Sequence, residues 1–99
     1  MGLFNATSSI MKINRLLKDL ENQITITQGL IERDAPALML NNSLNVLKSI
    51  HQQLIDTFAQ SSAARVAMFS IFGNKMQMEA ILTYSKDVIY NLYAIIQNK

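Results

Sequence analysis

Cysteine and tryptophan are absent from this chain, and histidine and proline occur once each. Without cysteine there is no disulfide framework, no thiolate metal site and no cysteine nucleophile. A single histidine cannot build a multi-histidine metal site. The three glycines, Gly2, Gly29 and Gly73, are isolated, so no glycine-rich loop can cradle a phosphate. Charge is sparse as well, at 16% of residues against 49% hydrophobic. That balance excludes intrinsic disorder. Long apolar runs are missing. The longest mostly apolar stretch, 66–72, falls far short of the ~20 residues that span a bilayer. The first residues lack a basic start followed by an apolar segment, so no secretory leader is expected and the expected compartment is the cytoplasm. The myristoylation pattern asks for Ser or Thr where this chain has Ala6. Asn5-Ala6-Thr7 and Asn41-Asn42-Ser43 match the glycosylation pattern, which has meaning only with secretion.

Net charge is +2, and it is spread evenly. The tightest basic group is Lys12, Arg15 and Lys18, with Asp19 and Glu21 beside it. An unclustered charge of this size argues against nucleic acid as a partner. The polar residues are instead rich in amides, nine Asn and seven Gln, which equals all Asp, Glu, Lys and Arg together. A neutral amide surface repels a second copy less than a charged one does. With 99 residues, one domain covering 1–99 is expected.

Helical periodicity dominates. Ile10, Ile13, Leu17, Leu20, Ile24, Thr27 and Ile31 alternate steps of three and four, as in a coiled-coil seam. Leu16 and Leu30 widen that seam toward a bundle face. Thr7 or Ser8 is the expected N-cap. Within this helix 24–27 (Ile-Thr-Ile-Thr) alternates like a strand and Gly29 follows, so 25–29 is its weakest part. Asp34-Ala35-Pro36 marks a break, read as a cap and first turn of a second helix. So short a connection makes the two helices antiparallel neighbours. The second helix sets Leu40, Leu44, Leu47, His51, Leu54 and Phe58 on one face, with Ile50 and Ile55 widening it. No Gly or Pro interrupts the small residues that follow, so the helix is expected to continue. The alternative is a separate short helix over 63–72, capped by Ser61 or Ser62. Gly73 is read as the C-terminal stop, with Asn74 and Gln77 as a capping box for the last helix. That helix carries one stripe of Met78, Ile81, Val88, Leu92 and Ile95. A second stripe of Leu82, Ile89, Tyr93 and Ile96 lies beside it. So wide an apolar face is either central in the fold or shared with another subunit.

The expected fold is all-α, an antiparallel bundle of three long helices over 7–32, 36–71 and 75–97, or four helices if the second splits near 60–62. A second helix of that length would reach ~50 Å and outrun its neighbours. Its uncovered stripe implies a homodimer.

Few residues suggest chemistry. His51 sits on the apolar seam, and its i±3 and i±4 neighbours, Leu47, Lys48, Leu54 and Ile55, include no ligand. It reads as a seam residue that bonds a neighbouring helix. The carboxylates are scattered, and Ser61-Ser62 has no base nearby. No catalytic residue, metal, cofactor or small-molecule substrate is expected. Stretch 66–72 with Met76 and Met78 combines methionine and aromatics, a composition found on adaptable binding surfaces. Val66, Phe69, Phe72 and Met76 are therefore the candidate partner or dimer interface. Tyr84, Tyr90 and Tyr93 read as core-edge rings.

The length and hairpin pattern resemble those of small secreted helical-hairpin proteins, but the Trp-x-Gly turn of that group is missing. Small helical immunity proteins share length and charge with this chain and no residue motif. The expected function is non-enzymatic: an adaptor, chaperone or regulator acting through helix faces and associating with itself. The alternative is a membrane-associated protective or effector protein, using 66–72 flanked by Arg65 and Lys75.

Overall fold

A computed structural model describes the backbone of residues 2–99 and the side chains of residues 8–99. Three long helices dominate: α1 (Gly2–Glu32), α2 (Ala37–Ala59) and α4 (Met78–Gln97). Between the last two lie a short helix, α3 (Ser62–Val66), and a hairpin of β1 (Phe69–Ile71) and β2 (Asn74–Met76). The all-α expectation holds in bulk, and the hairpin is an addition to it.

The heptad seam of α1 is buried from Ile13 through Thr27. Ile31, the last position of the expected seam, is exposed. Helix persists through 24–27 because the seam continues there, and the hydroxyls of Thr25 and Thr27 bond back to the carbonyls of Glu21 and Gln23. Ser8 lies inside α1 and so is not its cap, and the side chains of Asn5 and Thr7 lie outside the described residues.

The first break falls where expected, for a different reason. Asp34 has a left-handed backbone, φ 53°. Its amide donates to Ile31 O, and the Ala35 amide reaches back to Leu30 O at 2.9 Å. Ala35 and Leu30 are both buried. These bonds form a Schellman ending of α1, with Asp34 at C′. Asp34 thus closes α1 and does not cap α2, whose N-cap is Pro36.

The continuous second helix is overturned. α2 stops at Ala59, and its end is built from side chains. Ser61 Oγ accepts from the Ala64 amide and starts α3, as the alternative reading had it, but α3 ends at Val66 and not at 72. The Arg65 guanidinium donates to Phe58 O and Ala59 O, supplying the cation and donors that a helix C-terminus favours. The chain then turns extended. Phe69 and Ile71 point inward and Ser70 outward, the period-two pattern of a strand. Phe69 pairs with Met76 and Ile71 with Asn74. The two residues between the strands, Phe72 and Gly73, have φ 50° and 80°, as a type I′ turn requires. Gly73 does adopt the left-handed backbone read from the sequence, in a hairpin and not at a helix end. Asn74 is in β2, so no capping box forms. Gln77 instead bonds Val66 O and fastens the hairpin exit to the end of α3.

α1 and α4 each pack along α2 and hardly touch each other. Lys99 bonds Asp34, which brings the end of α4 back to the α1–α2 turn. α4 therefore runs antiparallel to α2 and parallel to α1. α3 and β1 pack on α1. One cluster of buried residues joins the helices to Phe69 and Ile71 of the hairpin. No helix among the described residues is long and apolar enough to cross a membrane.

Candidate interaction surface

The four residues singled out for an interface do not form one surface. Val66, at the end of α3, is 72% exposed, and Phe72, in the turn, is 46% exposed. Phe69 is buried at 3%, its ring edge-on to Phe58 with centroids 5.8 Å apart. Met76, its cross-strand partner, is partly buried. A continuous helix would have gathered them, but the chain divides them among α3, the two strands and the turn. Phe69 belongs to the core and is withdrawn as an interface residue.

The expected role of His51 is the one seen. Its Nδ1 lies 2.5 Å from Ser85 Oγ, across the α2–α4 contact. Ser85 Oγ also lies 3.1 Å from Leu82 O. Ser85 is 1% exposed. A serine nucleophile needs an open approach, which this burial denies it. This pair is a polar joint between helices. Burial, and then the charge of Lys86, hold the His51 pKa below its ordinary 6.5. Among the described residues no group of three or more His, Asp or Glu comes together.

Exposed large apolar side chains are spread over several elements, among them Leu38, Met39 and Val46 on α2, Val66, Met68 and Phe72 in the connector, and Tyr90 and Tyr93 on α4. Its buried residues are Ile81, Ser85 and Leu92, so most of its apolar side chains are only partly covered or exposed. At 100° per residue these three form the row facing the core, with one apolar row on either side. On the α1 side, Tyr84, Val88 and Ile95 face Ile24, Gln28 and Ile31 across a cleft of about 170 Å³. On the far side run Leu82, Ile89, Tyr93 and Ile96. The first, second and fourth are partly buried and Tyr93 is 51% exposed. Lys86 lies over the Tyr90 ring at 5.8 Å along the edge of this row. No protein-family model, curated protein or solved structure matches this chain, so the surface stands on its own geometry. The far row was legible in the sequence as a second stripe.

Lys12, Arg15 and Lys18 are exposed on α1. Glu21 beside them accepts the Phe72 amide at 3.3 Å and holds the hairpin tip against α1.

Proposed function

We propose that this chain is a non-enzymatic helical protein that works by protein–protein contact, as adaptors, chaperones and regulators do, with α4 as its contact helix. One observation carries the reading. α4 is a 20-residue helix rich in Ile, Leu, Val and Tyr, yet of its apolar residues only Ile81 and Leu92 are buried. Tyr90 and Tyr93 on it are exposed, and tyrosine is enriched at protein interfaces. Self-association is the form to test first, since the surrounding polar surface is amide-rich and close to neutral. The test is light scattering coupled to gel filtration over about a hundredfold dilution. The expected result is a mass above 11.2 kDa that falls on dilution. Ile89→Asp should hold the protein at monomer mass with its helicity intact. A monomer throughout would end the self-association reading.

A second reading rests on the connector. Val66, Met68 and Phe72 are exposed there, with Lys75 on β2. These residues suit attachment to an anionic membrane surface, although Arg65 is already engaged by the end of α2. Flotation with anionic liposomes, abolished by Phe72→Asp, would support it. Absence from the lipid fraction would dismiss it.

A further inference from the structure

α1 and α4 run parallel, each packed along α2, and between them lies the cleft of about 170 Å³. We propose that this cleft is a binding site for a small neutral ligand, a single ring carrying one hydroxyl or amide group. The site is independent of the contact-helix reading, because the exposed Tyr90 and Tyr93 do not line it.

The cleft is graded in depth. Ile24, Thr27 and Leu92 form a buried floor, and the Thr27 hydroxyl there already donates to Gln23 O. Tyr84, Val88 and Ile95 form partly buried walls. Gln28 and Asn91 stand exposed at the mouth. An apolar floor and walls beneath a few polar groups is the usual composition of a small-molecule site. Water on such a floor finds few partners, so replacing it with an apolar group is favourable.

Contacts close the cleft at both ends. Glu21, Ile24, Gln28, Ile31 and Asp34 follow one another at steps of three and four, as one row of α1. At the start of the row the Glu21 carboxylate holds the hairpin tip through the Phe72 amide. At its end Asp34 is bonded by Lys99. The facing row of α4, Tyr84, Val88, Asn91 and Ile95, leads to that same Lys99. A helix is about 10 Å across and lies in a groove open along its length. A short cleft fastened at both ends selects a small molecule over a helix.

Volume and charge narrow the class. An apolar cavity of about 150 Å³ admits benzene. This one, at about 170 Å³, has room for a ring with one small substituent. None of the described residues lining it is Asp, Glu, Lys, Arg or His. An ionised ligand would lose its water there and gain no counter-charge. The substituent belongs at the mouth, where Gln28 and Asn91 each offer an amide donor and acceptor.

Benzyl alcohol is the probe, titrated into isotope-labelled protein and followed by amide NMR signals. Those of 24–31 and 84–95 should shift together and saturate, with a dissociation constant in about the millimolar range that so few heavy atoms reach. Benzoate, the same ring with a charge, should bind at least about tenfold more weakly. Asn91→Ala, at an exposed position, should weaken benzyl alcohol about three- to tenfold and leave toluene unchanged. Val88→Phe, which places a ring in the cleft, should abolish both. Should Val88→Phe fold poorly, benzoate and Asn91→Ala carry the test. Shifts that never saturate, or that centre on Tyr90, Tyr93 or the hairpin, would overturn the site. Benzoate binding as tightly as benzyl alcohol would overturn the assignment to a neutral ligand. Equal losses for toluene and benzyl alcohol in Asn91→Ala would overturn the role of the mouth. Signals of the same two segments moving with protein dilution, with no probe present, would place a second copy in the cleft and overturn the proposal.

Discussion

α2 and α4 are both long, apolar and wide-faced, and the fold treats them differently. α2 lies between two helices and buries Leu40, Leu44, Leu47, Ile50, Leu54 and Phe58. α4 packs mainly along α2, with smaller contacts to α3 and β2, and buries Ile81, Ser85 and Leu92. The difference is one of position. A helix with neighbours on both flanks covers a broad stripe, and a helix at the edge of the arrangement covers a narrow one. Apolar content says that a face seeks cover, and the topology decides whether the same chain supplies it.

The comparison has a sharp thermodynamic form. Leu54→Ala, at a fully buried site, should cost about 2–5 kcal/mol in denaturant unfolding. Ile96→Ala, measured on dilute protein, should cost about 1 kcal/mol, since less surface is lost and no closed cavity forms. Equal losses would break the comparison, because they would mean α4 is as well covered in one copy as α2.

The connection that delivers α4 stores strain. Phe72 holds a left-handed backbone that bulky residues avoid. Phe72→Asn keeps the amide that Glu21 accepts and suits the turn better, so the unfolding midpoint should rise by about 1 kcal/mol equivalent. An unchanged midpoint would show that the Phe72 ring recovers the strain through packing. On the α1–α2 side, Gly29 sits within a helix, and a Cβ there would meet nothing within 4 Å. Gly29→Ala should stabilise by about 0.5–1 kcal/mol on the same assay.

The smallest expected effect concerns the joint between the two helices. Above its ordinary value of 6.5, His51 is neutral in both folded and unfolded chains. As pH falls through that value the unfolded chain takes up its proton first, and the folded state loses stability until its own lower pKa is passed. Unfolding from about pH 7 to about pH 5 should therefore show a decline that His51→Gln removes. A slope unchanged in the variant would place the titration elsewhere.

The two connections show how far local pattern reaches. The 24–27 segment and the 69–71 segment both alternate apolar and polar residues. The first is helix, because a seam of Ile and Leu runs through it on either side. The second is strand, because it is bounded by Gly73 at positive φ and because Phe69 finds Phe58 to pack on. That contact links residues from different elements, and no window of local sequence contains it. The Asp34 break was legible, but whether Asp34 would end one helix or begin the next depended on Leu30 and Ala35 being buried together. The four residues read as an interface were set on one face by a period of 3.6, whereas the fold places Val66 in α3, Phe69 and Met76 on paired strands and Phe72 in the turn.

By itself the sequence determined the helical class, the seams of α1 and α2, the place of the first break and the polar role of His51. These rest on periodicity and on single-residue backbone preferences, which act within a few residues. Only the tertiary structure decided where α2 ends, that the connector folds as a hairpin, and that α4 keeps a row open. Those outcomes rest on Arg65 reaching back to the end of α2, on Phe69 entering the core and on α4 packing mainly along α2. Contacts between residues distant in sequence, or on different elements, set all three.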